Sequence, residues 1–585
     1  MEPRRWTLKD LFPPLDTQDI SGAYARLESC VAAIEAMRPA LSPEMSADAF
    51  GAMIRALEEF AEIGTRIGAY GQLWFSEDTQ NTSALSFVSK AEQALAEARN
   101  RVLFLELWWK SLPDDAAKRL MSGAGDVAYY LHQERLFKDH TLTEPEERII
   151  SLKNLHGPNA IGRIYDMITN KYKYHITEEG KQLELTRDAL MAYVRNPSAD
   201  VREAAYREQF RPYADDGAVL GQIYVHTAMD WASEHMTLRK FASPIAVRNL
   251  SNDIPDKVIS TLLEVCEQEA HVFHRYFKMK AAWLGGGTLR RFDLYAPIRK
   301  KTERRIPYGE AVDMVLGCLD RFSPEASAMA RRVFDEAHID AEPRAGKRGG
   351  AFCYGVLPKL TPWVLVNYTG EPRQVATLAH ELGHAVHAMV ASGHSLLTYN
   401  APLPLAETAS VFSEMLLTDA LLKAEADPET RRDIIAETVD NVYATVMRQA
   451  YFTIFETEAH RAVTEGATIE ELSAIYARTL SRQFGDAVEV DEVFRHEWLS
   501  IPHMYHTPFY CYAYSFGMLL SLALYRRYQE QGPKAADGIL TILRHGGAKS
   551  PADILKEAGV PMHDATFWRG GFSVIADMIS SLEAK

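Results

Sequence analysis

The run Ala379-His-Glu-Leu-Gly-His-Ala-Val-His387 constrains this chain more than any other stretch. His380 and His384 stand four residues apart, so on a helix they project from one face a turn apart, and their imidazoles can share one metal ion. Glu381 lies at the edge of that face, where its carboxylate reaches a water on the metal rather than the metal itself. This reading requires a helix, and the flanking residues supply one. Thr369 or Gly370 can cap its start, Glu371 suits the positive end of the dipole, Pro372 the first turn, and Gly393 can end it. Val375, Leu378, Leu382, Val386 and Met389 recur at helical spacing, which predicts a buried helix on the floor of a cleft.

In 585 residues with 19 histidines, the pattern His-Glu-x-x-His arises by composition alone roughly a few times in a hundred. A second run adds weight to it. Ala406-Glu-Thr-Ala-Ser-Val-Phe-Ser-Glu414 reads as a helix that sets Glu407 and Glu414 seven residues apart on a common face. Two histidines and one carboxylate leave zinc a fourth position for water, the donor set of catalytic rather than structural sites. Glu407 is therefore expected as the third ligand, with one Zn²⁺ per chain, although cobalt or manganese suits the same donors. Glu414 is placed to hold a histidine ligand from behind, and His387 is a further supporting residue beside the set.

The totals bound the remaining classes. At this length the chain can fill two or more cores, since single cores stop growing near roughly 250 to 300 residues. With 64 basic and 79 acidic side chains the net charge is −15, which argues against nucleic acid as a partner. No stretch approaches 18 consecutive apolar residues, so no membrane span is expected. The five cysteines are scattered and never paired as Cys-x-x-Cys, and no apolar run follows Met-Glu-Pro-Arg-Arg-Trp. A reducing, cytoplasmic compartment is the expectation. No spacing specifies an oligomeric state.

From Thr17 to about Leu120 the spacing of Phe50, Met53, Ile54, Leu57 and Phe60 predicts long antiparallel helices, with Tyr70, Trp74 and Phe75 as core. Two alternating runs around a glycine turn at Lys171–Thr186 predict a hairpin, with Thr186 capping the next helix. A soft boundary near residue 200 divides the chain into an N-terminal helical domain, 1–200, and a catalytic domain, 201–585. Leu284-Gly-Gly-Gly287 is a loop without the surroundings of a phosphate-binding fingerprint. The arginines and Asp293 of Arg290–Pro297 read as surface ion pairs. Gly349, Gly350 and Gly355 allow close backbone approach, and Trp363–Tyr368 reads as a strand before the metal helix. That strand either takes an extended peptide as an added neighbour or is an ordinary member of a sheet.

The segment Ile501–Gly517 is dense in aromatic and imidazole side chains. Packed in a core they would carry no chemistry. Beside a metal centre, phenols and an imidazole are the donors that an oxyanion needs, with Tyr505, Tyr510, Tyr512 and Tyr514 as alternatives.

The His380–His387 run, the Glu407–Glu414 run and this tyrosine-rich segment together resemble oligoendopeptidase F, within the thimet-oligopeptidase group of zinc peptidases. The resemblance extends to Leu131–Arg148 and to the Trp-x-Leu-x-x-Leu-Phe opening at Trp6–Phe12, so it spans nearly the whole chain. It implies a mainly α-helical fold of two halves flanking a deep substrate channel, with a small β-sheet beside the zinc helix. It also implies a zinc-dependent endopeptidase that cuts internal bonds of short unfolded oligopeptides. Glu381 is then the expected base, and His503 with Tyr512, or Tyr510 after it, the expected oxyanion donors. A zinc carboxypeptidase of similar chemistry and a non-catalytic peptide-binding protein on the same scaffold are the alternatives.

Overall fold

The computed structural model describes residues 2–12, 17–178, 180–298 and 305–583. Its helices start where the sequence supplies caps. Ser46 accepts the Ala49 N–H to open Ala47–Glu77, and Asn81 accepts from Ser83 and Ala84 to open Thr82–Ser111. Phe50, Met53, Ile54 and Phe60 fall on the buried side of the first of these, as their spacing predicts. The chain is mainly helical, with three small sheets among the described residues. No described helix is long and apolar enough to cross a membrane.

The chain divides into two compact units, each assembled from three segments. The first comprises Met1–Thr141, Arg304–Leu421 and Arg527–Val560, and the second Leu142–Glu303, Leu422–Arg526 and Pro561–Lys585. The boundary expected near residue 200 falls inside Leu142–Glu303 of the second unit.

In the first unit a three-stranded sheet has the order β1 (Ile339–Asp340), β3 (Trp363–Leu365), β2 (Phe352–Tyr354), parallel on the β1 side and antiparallel on the β2 side. The strand expected at Trp363 is therefore central, and both its ladders are filled. β1 and β2 are the edges of this sheet, and no further strand joins β2 among the described residues. Asp340 is buried and pairs with Lys347 and Arg344, while Lys347 Nζ also donates to the Val366 carbonyl at 2.8 Å. This ties down the loop that leads into β2. The N-terminal opening joins the same sheet: Thr7 N–H donates to Ala337 O, and Trp363 Nε1–H to Thr7 O.

Helix α1 (Pro372–Val390) packs against this sheet. Its cap is Glu371, not Thr369 or Gly370, because Gln374 Oε1 reaches back to the Glu371 and Thr369 N–H groups. The helix ends at Ala391, before Gly393. Of the three glycines read as close approaches, only Gly355 is one. A Cβ there would lie 2.9 Å from Tyr399 Oη and 3.1 Å from Ala388 Cβ, whereas Gly349 and Gly350 face open space.

In the second unit the hairpin forms as Tyr174–Glu178 against Lys181–Leu185, and Thr186 caps Arg187–Tyr193 by accepting from Ala189. Two of the charges of Arg290–Pro297 are buried rather than at the surface: Asp293 takes Arg202 and Arg290, and Arg291 pairs with Glu497, with Arg202, Arg291 and Asp293 all buried. Arg202 and Glu497 lie far off in sequence from this segment, so local spacing does not signal them as partners.

Candidate metal centre

Helix α2 (Thr408–Ala424) follows a short turn, Leu403–Ala406, and Glu407 occupies the junction rather than the body of a continuous helix. Its carbonyl still accepts the Val411 N–H. The approach of α2 to α1 is set by Gly383, where a Cβ would stand 2.6 Å from Ala409 O and from Ser410 Cα. Only glycine lets the helices come so near, and the glycine lies between the two histidines.

His380, His384 and Glu407 thereby converge, with one donor atom of each able to serve a common ion. His380 Nε2 is 3.2 Å from His384 Nε2 and 3.4 Å from Glu407 Oε2, and His384 Nε2 is 3.5 Å from that oxygen. An ideal tetrahedron with bonds of about 2.0–2.1 Å separates its donors by about 3.3 Å, so the triangle fits the zinc expected from the donor types. His380 Nδ1 lies 2.5 Å from Glu414 Oε1. A proton held on Nδ1 by that carboxylate leaves the Nε2 lone pair facing the other two donors.

The electrostatics favour a cation here. Burial opposes charge on His380, but the hydrogen bond and charge of Glu414 lift its pKa to about 9. Burial likewise opposes charge on Glu407, yet His384, His380 and the Ser410 hydroxyl hold its carboxyl down at about 2. His387 is different: burial pushes it down to about 4, and it bonds the backbone of Ala406. It steadies the residue before Glu407, and the charges of His384 and Glu407 act on it.

Glu381 is 6% exposed, and no hydrogen bond from a described residue reaches its carboxylate. Burial raises its pKa, against the charges of His380 and His384. It opens with His380, His384 and Glu407 on a cavity of about 390 Å³, also bordered by Cys353 of the edge strand β2. A carboxylate without protein partners, beside three convergent donors, is free to exchange a proton with a small molecule in that cavity.

His503 and the four tyrosines belong to the second unit, which separates their roles. Tyr512 is fully buried, and its hydroxyl accepts from Asn252 Nδ2 at 2.7 Å, so it faces the interior of its own unit. Tyr505 is buried and stacked on Tyr165, centroids 3.9 Å apart. Tyr514 Oη lies 3.4 Å from His503 Nε2, and the Tyr510 ring stacks on the His503 imidazole at 5.5 Å. His503, Tyr510 and Tyr514 are all half-buried and form one cluster. Burial lowers the His503 pKa, with the charges of His506 and Arg448 acting in the same direction. It is neutral near pH 7 and donates through one N–H. Asn252, 260 residues from Tyr512, was invisible to local sequence patterns.

The donor set is that of catalytic zinc sites. Residues 192–573 match peptidase family M3, and the chain belongs to that family. Oligopeptidase PepF of Bacillus subtilis (strain 168) is 25% identical over 574 residues, 95% of this chain and 83% of its own. An oligoendopeptidase F homolog of Borreliella burgdorferi is 26% identical over 568 residues, 94% of each chain. The crystal structure of oligoendopeptidase-F from Enterococcus faecium superposes with a TM-score of 0.74 at 23% identity, covering 97% of this chain and 99% of the other. The fold is thus that of oligoendopeptidase F, and the chain is a peptidase.

Proposed function

We propose that this peptidase is a zinc-dependent endopeptidase that hydrolyses internal bonds of short, unfolded oligopeptides. The observation that carries the reading is the near-equilateral triangle of His380, His384 and Glu407 with the unpartnered Glu381 carboxylate in the same cavity. Zinc bound there supplies Lewis acidity toward a peptide carbonyl and toward water. Glu381 takes a proton from the attacking water and passes it to the leaving amine, for which a carboxyl raised by burial is suited. Glu414 holds the His380 tautomer, and His387 steadies the approach to Glu407. The oxyanion donors are His503 with Tyr510 and Tyr514 rather than Tyr512, since the Tyr512 side chain is fully buried and its hydroxyl is turned toward Asn252.

The peptide lies along the uncovered edge of β2 in this scheme, and the backbone pairing there asks nothing of side-chain identity. The names of the relatives, oligopeptidase and oligoendopeptidase, accord with short substrates and internal cleavage. The experiment is Glu381→Gln. The variant is expected to bind metal as the parent does while kcat falls by about 10³ or more, and a variant that keeps turnover would remove Glu381 from the scheme. Mass spectrometry of products from end-blocked peptides gives internal cleavage; release of C-terminal residues only from unblocked ends would favour a carboxypeptidase.

A further inference from the structure

The second unit holds a cationic group that the proposed chemistry does not use. In α3 (Pro428–Thr464), Arg448 Nη2 lies 2.9 Å from Glu497 Oε1. Arg291 Nη2 binds the same oxygen at 3.1 Å, and Tyr476 donates to Glu497 Oε2 at 3.0 Å. Two guanidiniums share one carboxylate, so the group keeps a net positive charge in a chain whose total is −15. The two arginines differ in access. Arg291 is 2% exposed, with the Phe494 ring 4.8 Å from its guanidinium carbon. Arg448 keeps 31% of its side chain exposed while Glu497 fixes its guanidinium at Nη2, and its buried Nε has no hydrogen-bond partner among the described residues.

Arg195 extends the group. Its guanidinium lies 5.4 Å over the Tyr295 ring, and among the described residues no ion pair engages it. The charge of Arg448 acts on the same tyrosine, and it also acts on His503. Tyr295 thus carries the Arg195 guanidinium on its ring and also feels the charge of Arg448, which reaches His503 as well.

We propose that Arg448, with Arg195, forms a subsite for a carboxylate of the bound peptide. The inference rests on the peptidase reading given above and names a feature of its substrates. A carboxylate supplies the charge the cluster lacks, and its two oxygens match a guanidinium held in one orientation. Either the chain-terminal carboxylate or an acidic side chain can bring that group. The first is common to all unblocked peptides.

Binding tests this apart from turnover. The full-length Glu381→Gln chain is titrated with three labelled peptides of one sequence: a free acid, its C-terminal amide, and an amide ending in glutamate. The free acid is expected to bind about tenfold or more tighter than the plain amide, the weight of one charge-assisted hydrogen bond. Tight binding of the glutamate amide assigns the contact to any carboxylate that reaches the subsite; weak binding assigns it to the chain terminus. Either supports the proposal. Arg448→Gln should bring the acid-to-amide ratio close to one, and Arg448→Lys should retain part of it. Arg195→Gln should lower the ratio while leaving Glu497 untouched, so the subsite can still be tested if Arg448→Gln unfolds. Equal binding of acid and amide by the parent, or a ratio that survives Arg195→Gln and folded Arg448 variants, overturns the proposal. Loss of turnover in the unsubstituted chain with the acid preference intact would count against the peptidase mechanism and in favour of the subsite.

Discussion

Tyr512 and Tyr514 are two residues apart, yet their hydroxyls answer to different neighbours. The Tyr512 hydroxyl satisfies a buried amide of Asn252, while that of Tyr514 sits by His503. Tyr512→Phe is therefore expected to lower stability by about 1–3 kcal/mol, the penalty for leaving a buried donor unpaired, with kcat/KM within a few-fold of the parent. Tyr514→Phe should do the reverse, lowering kcat about 10²-fold with little effect on the unfolding midpoint. Urea unfolding and steady-state kinetics on both variants check this, and the opposite pattern would return Tyr512 to the site.

Glu456, on α3, makes a second prediction at this scale. One oxygen accepts the Phe509 N–H at 2.9 Å, where the backbone takes a positive φ of 59°, and the other has no partner among the described residues. Burial pushes this carboxyl up to about 8, and pushes His460, a turn further on, down to about 3. A carboxyl whose folded pKa lies above its unfolded value near ~4.3 binds more protons when folded, so stability falls as pH rises from there to about 8. His460 acts the other way below about 6.5, where the unfolded chain takes up its proton. Between pH 6.5 and 8 only the Glu456 slope remains of the two. Glu456→Gln, which keeps an acceptor for Phe509, should reduce the fall in thermal midpoint across that window; an unchanged slope would show that Glu456 is ionised in the folded chain.

At the scale of elements, the metal centre is made by one close helix crossing. The four-residue spacing of the histidines was enough to place them on one face, and the Glu407 run was close enough in sequence to be found with them. The role of Gly383 emerges only when α2 lies against it, because the clash is with Ala409 and Ser410 of the other helix. Gly383→Ala should cost about 1–3 kcal/mol of stability and weaken metal binding, since relieving the overlap moves Glu407 away from the imidazoles. Metal titration and urea unfolding read both effects; full affinity in a stable variant would mean the helices can separate without spreading the ligands. The sheet shows the converse. Trp363–Leu365 reads as a strand by its apolar run, but its central place, and hence which strands form the edges, depends on β1 and β2, whose pairing no local pattern encodes.

For the molecule as a whole, the helical class, the hairpin and the convergent trio were legible in the sequence because each rests on residues within a few turns of one another. The two compact units were not, because each gathers three separated segments. Arg291 reads as surface when its partner, Glu497, lies 206 positions away. What unites the account is that three side chains of the first unit close on a single divalent cation and leave room beside Glu381 for water. Metal analysis of the purified full-length chain, paired with cleavage of an unstructured peptide before chelation, after it, and after zinc is restored, tests this most directly. The account predicts one equivalent of zinc per chain, activity lost on chelation and regained with zinc; undiminished cleavage by a chain stripped of metal would contradict it.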